Sequence, residues 1–309
     1  MTSRRKRLVG LLGAAGLVAL GWALLQRPWR SRALAATMGS SARAASTGWP
    51  SPDAPLTSAA VVFPAGFGVH RIYLDAGHGA PGNTGNTSSF CVDEQDFTLA
   101  VARALGDYLE ATGHFEVRMS RQADQRVEYL DRVDDAARWG AEVFLSLHSD
   151  ARGKPERWWP EPGLSCPRSL GAPGFSVLLS DEGEPAMNER RVTLARAVAR
   201  RIQGVGITAY AGAEYQGLYE ADAGQPGVFL DRHALDQRIF VLRRPVMPSI
   251  LIETHNALDP REAERWNEER TRGAFSAAVT AGLVDALDRA ADPARARGHE
   301  SATPRLRGE

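Results

Sequence analysis

Two histidines and two glutamates stand where short apolar runs end or a helix begins. His78 follows the run Arg71–Ala76, inside Asp75-Ala76-Gly77-His78-Gly79. His148 closes Phe144-Leu145-Ser146-Leu147-His148, and Glu253 closes Ser249-Ile250-Leu251-Ile252-Glu253. Glu94 comes after the loop that follows His78, at the start of a helical pattern. Two imidazoles and one carboxylate hold a catalytic zinc and leave a fourth position open for water. Such a zinc polarises a carbonyl and lowers the pKa of its water to about 7, from about 15.7 in bulk. A second carboxylate can take the proton from that water and pass it to a leaving amine, a contribution of about 10²–10⁴-fold. Residue types alone leave open which glutamate binds and which moves the proton. Each residue also has a plainer reading. A histidine after a strand is commonly a hydrogen-bonded loop residue. A glutamate at a helix N-terminus gains about 0.3–1 kcal/mol from the helix dipole. Glu253 fits the plain reading least, because a lone carboxylate closing an apolar run is costly to bury.

These residues must be delivered by regular elements. Short β-rich runs fall at Arg71–Ala76, Phe115–Ser120, Val143–Leu147, Phe175–Leu179, Ile239–Leu242 and Ser249–Glu253. Helical periodicity covers Glu94–Thr112, with Phe97, Val101, Leu105 and Leu109 at spacings of four, then Val127–Trp139, Glu189–Gln203 and about Pro260–Ala290. The alternation predicts an α/β fold, a single domain over 69–290. Its largely parallel, twisted sheet has about six strands, with helices on both faces. In such sheets sites form beyond the carboxyl ends of the strands, which is where His78, His148 and Glu253 stand. Two stretches are long for simple connections. One is 151–173, with Trp158, Trp159 and Cys166; the other is 207–238, with three tyrosines, Glu220 and Asp222.

The remainder of the chain bounds its address and partners. Arg4, Arg5, Lys6 and Arg7 precede an uncharged run from Leu8 to Leu25, and Ala33-Leu34-Ala35 offers a cleavage site. Residues 1–35 therefore read as a signal peptide or an N-terminal membrane anchor, Arg27, Arg30 and Arg32 favouring retention. Either way the body is exported, to the periplasm or cell envelope. Residues 36–68, rich in Ala, Ser, Pro and Gly, read as a flexible linker, and 291–309 as a disordered tail. The first 35 residues hold seven of the 37 Lys and Arg and none of the 37 Asp and Glu. The remainder is thus net acidic, 30 against 37, which excludes a nucleic-acid binder. Cys91 and Cys166 lie in loop-like segments of an exported body, and a disulfide between them is expected.

The residues also carry a resemblance. Tyr73-Leu74-Asp75-Ala76-Gly77-His78-Gly79 resembles the opening motif of the zinc-dependent N-acetylmuramoyl-L-alanine amidases of the amidase-3 type. Glu94, then Val117-Arg118-Met119-Ser120-Arg121, Leu130 and Arg132, Phe144–Ala151, and Val241-Leu242-Arg243 with Pro248–Glu253 follow in that family's order. The resemblance spans roughly 71–285. It implies that His78, Glu94 and His148 bind one zinc per chain and that Glu253 is the acid/base. It also implies peptidoglycan as substrate, cut between N-acetylmuramic acid and L-alanine, with an activator protein as a candidate partner. Thr254-His255-Asn256 departs from the family pattern after the glutamate. His255 is expected to point away from Glu253 and to be structural.

Competing readings remain. A zinc carboxypeptidase would need an Arg for a free carboxylate, and Arg121 and Arg132 are the candidates. A non-catalytic wall scaffold would be expected to have lost one of the four site residues, and all four are present. Two regulatory expectations concern the long stretches: 151–173 as a flap tied by Cys166 to Cys91, and 207–238 covering the groove with Glu220 at the open metal position.

Overall fold

Within the run from His70 to Ala76, residues Ile72 to Ala76 are buried on both faces, as a strand inside a covered sheet must be. In the computed structural model, which describes residues 48–123 and 125–291, this strand is β1. It is followed by α1 (Glu94–Ala111), β2 (Phe115–Met119), α2 (Tyr129–Trp139) and β3 (Val143–Asp150). Next come β4 (Glu156–Glu161), β5 (Leu164–Arg168), β6 (Ser176–Leu179), α3 (Pro185–Gly204), β7 (Tyr219–Ala221) and β8 (Val228–Asp231). The chain continues through α4 (Phe240–Arg243), β9 (Ser249–Asn256), α5 (Pro260–Asn267) and α6 (Glu269–Ala291). The segment 1–35 expected to act as a leader or anchor lies outside the described residues. So do 36–47 and the tail beyond 291. Among the described residues, no helix is long and apolar enough to cross a membrane.

Seven strands form the main sheet in the order β2-β1-β3-β9-β6-β8-β7. β2, β1, β3 and β9 run parallel. β6 is antiparallel to β9 and parallel to β8, and β7 turns back on β8. Alternating side chains feed two cores. Ile72, Leu74, Leu145 and Ile252 pack with α1, α3 and α6 on one face. Tyr73, Phe144 and Leu251 pack with α2 and α4 on the other. The expected largely parallel α/β sheet with helices on both faces is thus the observed one, with seven strands.

Four local expectations differ. Ile239–Leu242, expected as a strand, is the helical turn α4, where Val241 and Leu242 are buried; a four-residue apolar run has too little length to reveal its period. The stretch 207–238, expected as a loop, contributes β7 and β8 to the sheet. The last helix is two. Asp259 accepts from the Arg261 N–H and Pro260 stands at the first turn of α5, which is a helix start. Arg272 Nη1 then bonds the carbonyls of Trp266 and Asn267 at the end of α5 (2.9 and 2.8 Å). Finally, the described part of the expected linker, 48–68, is docked on the domain. Trp49 is 5% exposed, Arg265 bonds the Pro52 carbonyl at 2.6 Å, and Phe63 stacks on His114 at 4.0 Å. Aromatic side chains supply the apolar area that a composition of small residues conceals.

β4 and β5 form a separate antiparallel hairpin. Its Cys166 is disulfide-bonded to Cys91, and Trp158 Nε1 bonds the Ser89 carbonyl at 2.5 Å. The hairpin is therefore tied to the loop that leads into α1. Labelling of the denatured, unreduced protein with a thiol reagent should find no free thiol; two thiols per chain would disprove the tether.

Candidate metal and acid/base site

Asp75 lies in the interior at the end of β1, where its charge needs a partner. Arg132 of α2 supplies it at 2.8 Å, both side chains being essentially unexposed. The Ser146 hydroxyl donates to the other oxygen at 2.7 Å. Burial pushes the Asp75 carboxyl up, but Arg132 and the Ser146 hydroxyl outweigh it and hold it below its ordinary value. Arg132 also donates to the carbonyls of Ala76 (3.1 Å) and His78 (2.5 Å). Arg121 donates to those of Ala76 (2.9 Å) and Gly77 (3.0 Å). Two guanidinium groups thus hold three successive carbonyls. They fix the turn in which His78 takes φ of 59°, a left-handed conformation unusual for a residue with a side chain. Both arginines are buried, 3% exposed for Arg121 and 0% for Arg132. Neither can receive a substrate carboxylate.

The turn aims His78 at Glu94 and His148. His78 Nε2 lies 3.0 Å from Glu94 Oε2. His148 Nδ1 lies 3.1 Å from Glu94 Oε1 and 3.1 Å from His78 Nε2. One donor atom from each residue falls within a 4.8 Å cluster. Glu94, at the first position of α1, is further held by the N–H groups of Ser149 (2.9 Å) and Asn86 (3.0 Å). Burial works against its charge, but the hydrogen bonds from His148 and His78 hold it well below the usual carboxylate range. Burial likewise disfavours a charged His78, and Glu94, with Asn83, outweighs it and raises that histidine.

Asn83 orients the His78 ring. Its Nδ2 donates to the Tyr129 hydroxyl at 2.8 Å and its Oδ1 accepts from the Gly85 N–H at 3.1 Å. The 2.8 Å bond between Asn83 Oδ1 and His78 Nδ1 must then be donated by the ring. This assigns the hydrogen to Nδ1 and leaves the Nε2 lone pair facing the cluster. Two ring nitrogens 3.1 Å apart beside a carboxylate require a proton or a cation between them. This donor set, with an outer-shell partner on one imidazole, fits a divalent zinc-like ion. Close approach is permitted by glycine. A Cβ on Gly77 would lie 2.5 Å from the His148 ring, and one on Gly85 2.6 Å from Glu94 Oε2.

Glu253 pairs in register with His148 on the neighbouring strand, about 4.8 Å away across the ladder. Its Oε2 is shielded from solvent and has no hydrogen-bond partner. Burial, then Asp150 and Glu94, push this carboxyl well above its ordinary value, with Arg152 opposing. Asp150 Oδ2 accepts from the Tyr215 hydroxyl at 2.6 Å and from Arg152 Nε at 2.8 Å. All four residues singled out in the sequence therefore meet at one rim. Asn83, Gly85, Asn86, Asp150 and Tyr215 were not singled out. Only the glycine-rich run 77–85 hinted at close backbone approach.

Two other expectations resolve here. Strict alternation would place residues 253 and 255 on one face. A bulge intervenes, because His148 pairs with Glu253 while Asp150 pairs with Asn256. The extra residue turns His255 over, against Phe97 and Trp266. There it is 2% exposed, and burial followed by Arg152 pushes its pKa down to about 3. It is structural, as expected. Glu220 does not reach the cluster. It lies exposed on β7 and pairs with Arg232 at 2.7 Å.

A family model described as N-acetylmuramoyl-L-alanine amidase (Amidase_3) matches residues 72–285. The amidase AmiA of Escherichia coli is 25% identical over 235 residues, 70% of this chain and 76% of that protein. A sporulation-specific N-acetylmuramoyl-L-alanine amidase of Bacillus subtilis is 29% identical over 189 residues, 59% of this chain and 54% of its own length. The crystal structure of the amidase Ami1 of Mycobacterium smegmatis superposes with a TM-score of 0.55 at 21% identity, covering 72% of this chain and 98% of that one.

Arg132→Met would strand the Asp75 charge, and a loss of about 3–5 kcal/mol is expected in denaturant unfolding; a loss below about 1 kcal/mol would show that the pair does not carry the turn. Gly77→Ala should leave the far-ultraviolet dichroism intact and weaken divalent-metal binding about ten- to a hundredfold, measured by chelator competition. Unchanged affinity would mean that His148 is not a ligand.

Proposed function

The chain belongs to the N-acetylmuramoyl-L-alanine amidase family, and from that premise we propose how it cuts its bond. It is a peptidoglycan amidase. The proposed scissile bond joins the lactyl group of N-acetylmuramic acid to L-alanine of the stem peptide. The proposed zinc ligands are His78, Glu94 and His148, one ion per chain, and Glu253 is the proposed general acid/base. The observation that carries this reading is the meeting of three ligand-type groups with the underpartnered Glu253 on the adjacent strand.

When bound, zinc would polarise the scissile carbonyl and make a water acidic enough to attack near neutral pH. The chain's own groups supply the remaining chemistry. Asn83 holds the His78 tautomer, and the Ser149 and Asn86 amides hold Glu94. Glu253 as carboxylate accepts a proton from the attacking water. The C–N bond then breaks, and Glu253 returns that proton to the departing L-alanine nitrogen, leaving a carboxylate on the lactyl group and a free amine on the peptide. Burial and the neighbouring Asp150 favour the protonated form, so the proton is retained until the amine takes it. Glu253 is well suited to both roles because its shielded oxygen has no competing donor.

The committed positions of Arg121 and Arg132 disfavour a carboxypeptidase, which needs a cation for a free terminus. We further propose that residues 1–35 export the body toward its cell-wall substrate.

The decisive test expresses residues 36–309, measures bound zinc, and digests purified peptidoglycan with wild type and Glu253→Gln. Zinc near one per chain in both is expected. Wild type alone should release stem peptides with a free L-alanine amine, and the variant should lose about 10²–10⁴-fold or more. Release by Glu253→Gln at the wild-type rate would remove the acid/base role. Absence of zinc would sink the metal reading. Zinc without release from either protein would point to an activator or another substrate.

A further inference from the structure

Glu262, on α5, is fully buried and takes no part in the chemistry above. Three N–H groups converge on its carboxylate. Trp49 Nε1 donates to Oε1 at 2.6 Å, the Gly174 amide to Oε1 at 2.9 Å, and the Asn256 amide to Oε2 at 2.9 Å. Those donors come from three different places. Trp49 lies in the docked segment that precedes the matched region 72–285. Asn256 ends β9, three residues after Glu253. Gly174 stands just before β6, whose Ser176 is paired with Glu253 across the ladder.

The network continues toward the site. Asn256 Oδ1 accepts from the Arg152 amide at 3.0 Å. Arg152 Nη1 donates to the Gly174 carbonyl at 2.7 Å. Arg152 Nε donates to Asp150, which neighbours Glu253. Glu262 and Arg152 therefore hold Gly174 by its N–H and its carbonyl respectively. Together they brace β9, which carries Glu253, and β6, which pairs with it, next to the bulge that breaks the ladder at 254–255.

We propose that Trp49 is a positioning residue of the active site: its indole N–H sets the Glu262 carboxylate that fixes the ends of β9 and β6 around Glu253. This rests on the reading of Glu253 given above. The segment before residue 72 is then part of the catalytic unit, although the family match begins only there. Charge balance supports the arrangement. Burial pushes Glu262 up, and the Asn256 amide, the Trp49 indole, Arg152 and the Gly174 amide offset only part of that, so that it stands at about 7. Without the indole donor the carboxylate loses a stabilising bond and its grip on Asn256 weakens.

The test uses the full chain carrying Trp49→Phe, which keeps an aromatic ring and removes the N–H. Turnover of a soluble muropeptide is measured well below the melting temperature, together with bound zinc and hydrogen exchange at the Asn256 and Gly174 amides. The expected result is kcat lower by about ten- to a hundredfold, KM and zinc content unchanged, and faster exchange at both amides. Glu262→Gln should repeat the exchange pattern if Trp49→Phe proves too unstable to assay. A lower melting temperature with unchanged kcat would overturn the proposal and leave the strap a purely stabilising element. So would unchanged exchange at Asn256. If wild type itself turns over no muropeptide, the amidase mechanism fails on its own, and the exchange data still decide whether Trp49 holds β9.

Discussion

A charge without water must find its counter-charge, and Asp75 meets that requirement only through Arg132. The consequences reach well beyond one pair. The guanidinium that neutralises Asp75 also donates to the Ala76 and His78 carbonyls, while Arg121 takes Ala76 and Gly77. The turn they create holds His78 at a positive φ, a conformation that costs about 1–3 kcal/mol for such a residue. That cost is sustainable because the buried arginines over-determine the backbone. The turn that carries His78 is therefore an outgrowth of a buried electrostatic constraint.

Packing sets the second condition. The imidazoles and Glu94 come within about 3 Å of one another only because Gly77 and Gly85 present no Cβ to them. The third condition is a defect in the sheet. The bulge in β9 leaves Glu253 beside His148 and sends His255 into the opposite core, against Trp266. A regular ladder would have carried a buried histidine to the face that holds Glu253. Glu253 itself is left with a shielded, unpartnered oxygen. Two other buried carboxylates are fully engaged: Asp75 by an arginine and a hydroxyl, Glu262 by three N–H groups. Under-satisfaction at this carboxylate beside satisfied ones is what the proposed acid/base role of Glu253 calls for.

The amino-acid sequence by itself determined the strand–helix alternation, the rim on which His78, His148 and Glu253 stand, and the opening of α1 at Glu94. Those features follow from local patterning, in which apolar periodicity names the element and the first polar residue after it names the rim. The family resemblance separated ligand from acid/base, which residue types had left open. Tertiary structure alone decided the rest. α4 has a run too short to show a period, and β7 and β8 are too short to show an alternation; β8 is fixed by pairing with the remote β6, and β7 only by turning back on β8. The docking of Trp49 on Glu262 joins residues 213 positions apart, and no local pattern carries that information. The roles of Asn83, Asp150 and Arg152, and the turning of His255 by a bulge, likewise depend on which backbones meet. Local sequence specifies what each segment prefers, and long-range burial and charge matching decide which of those segments touch.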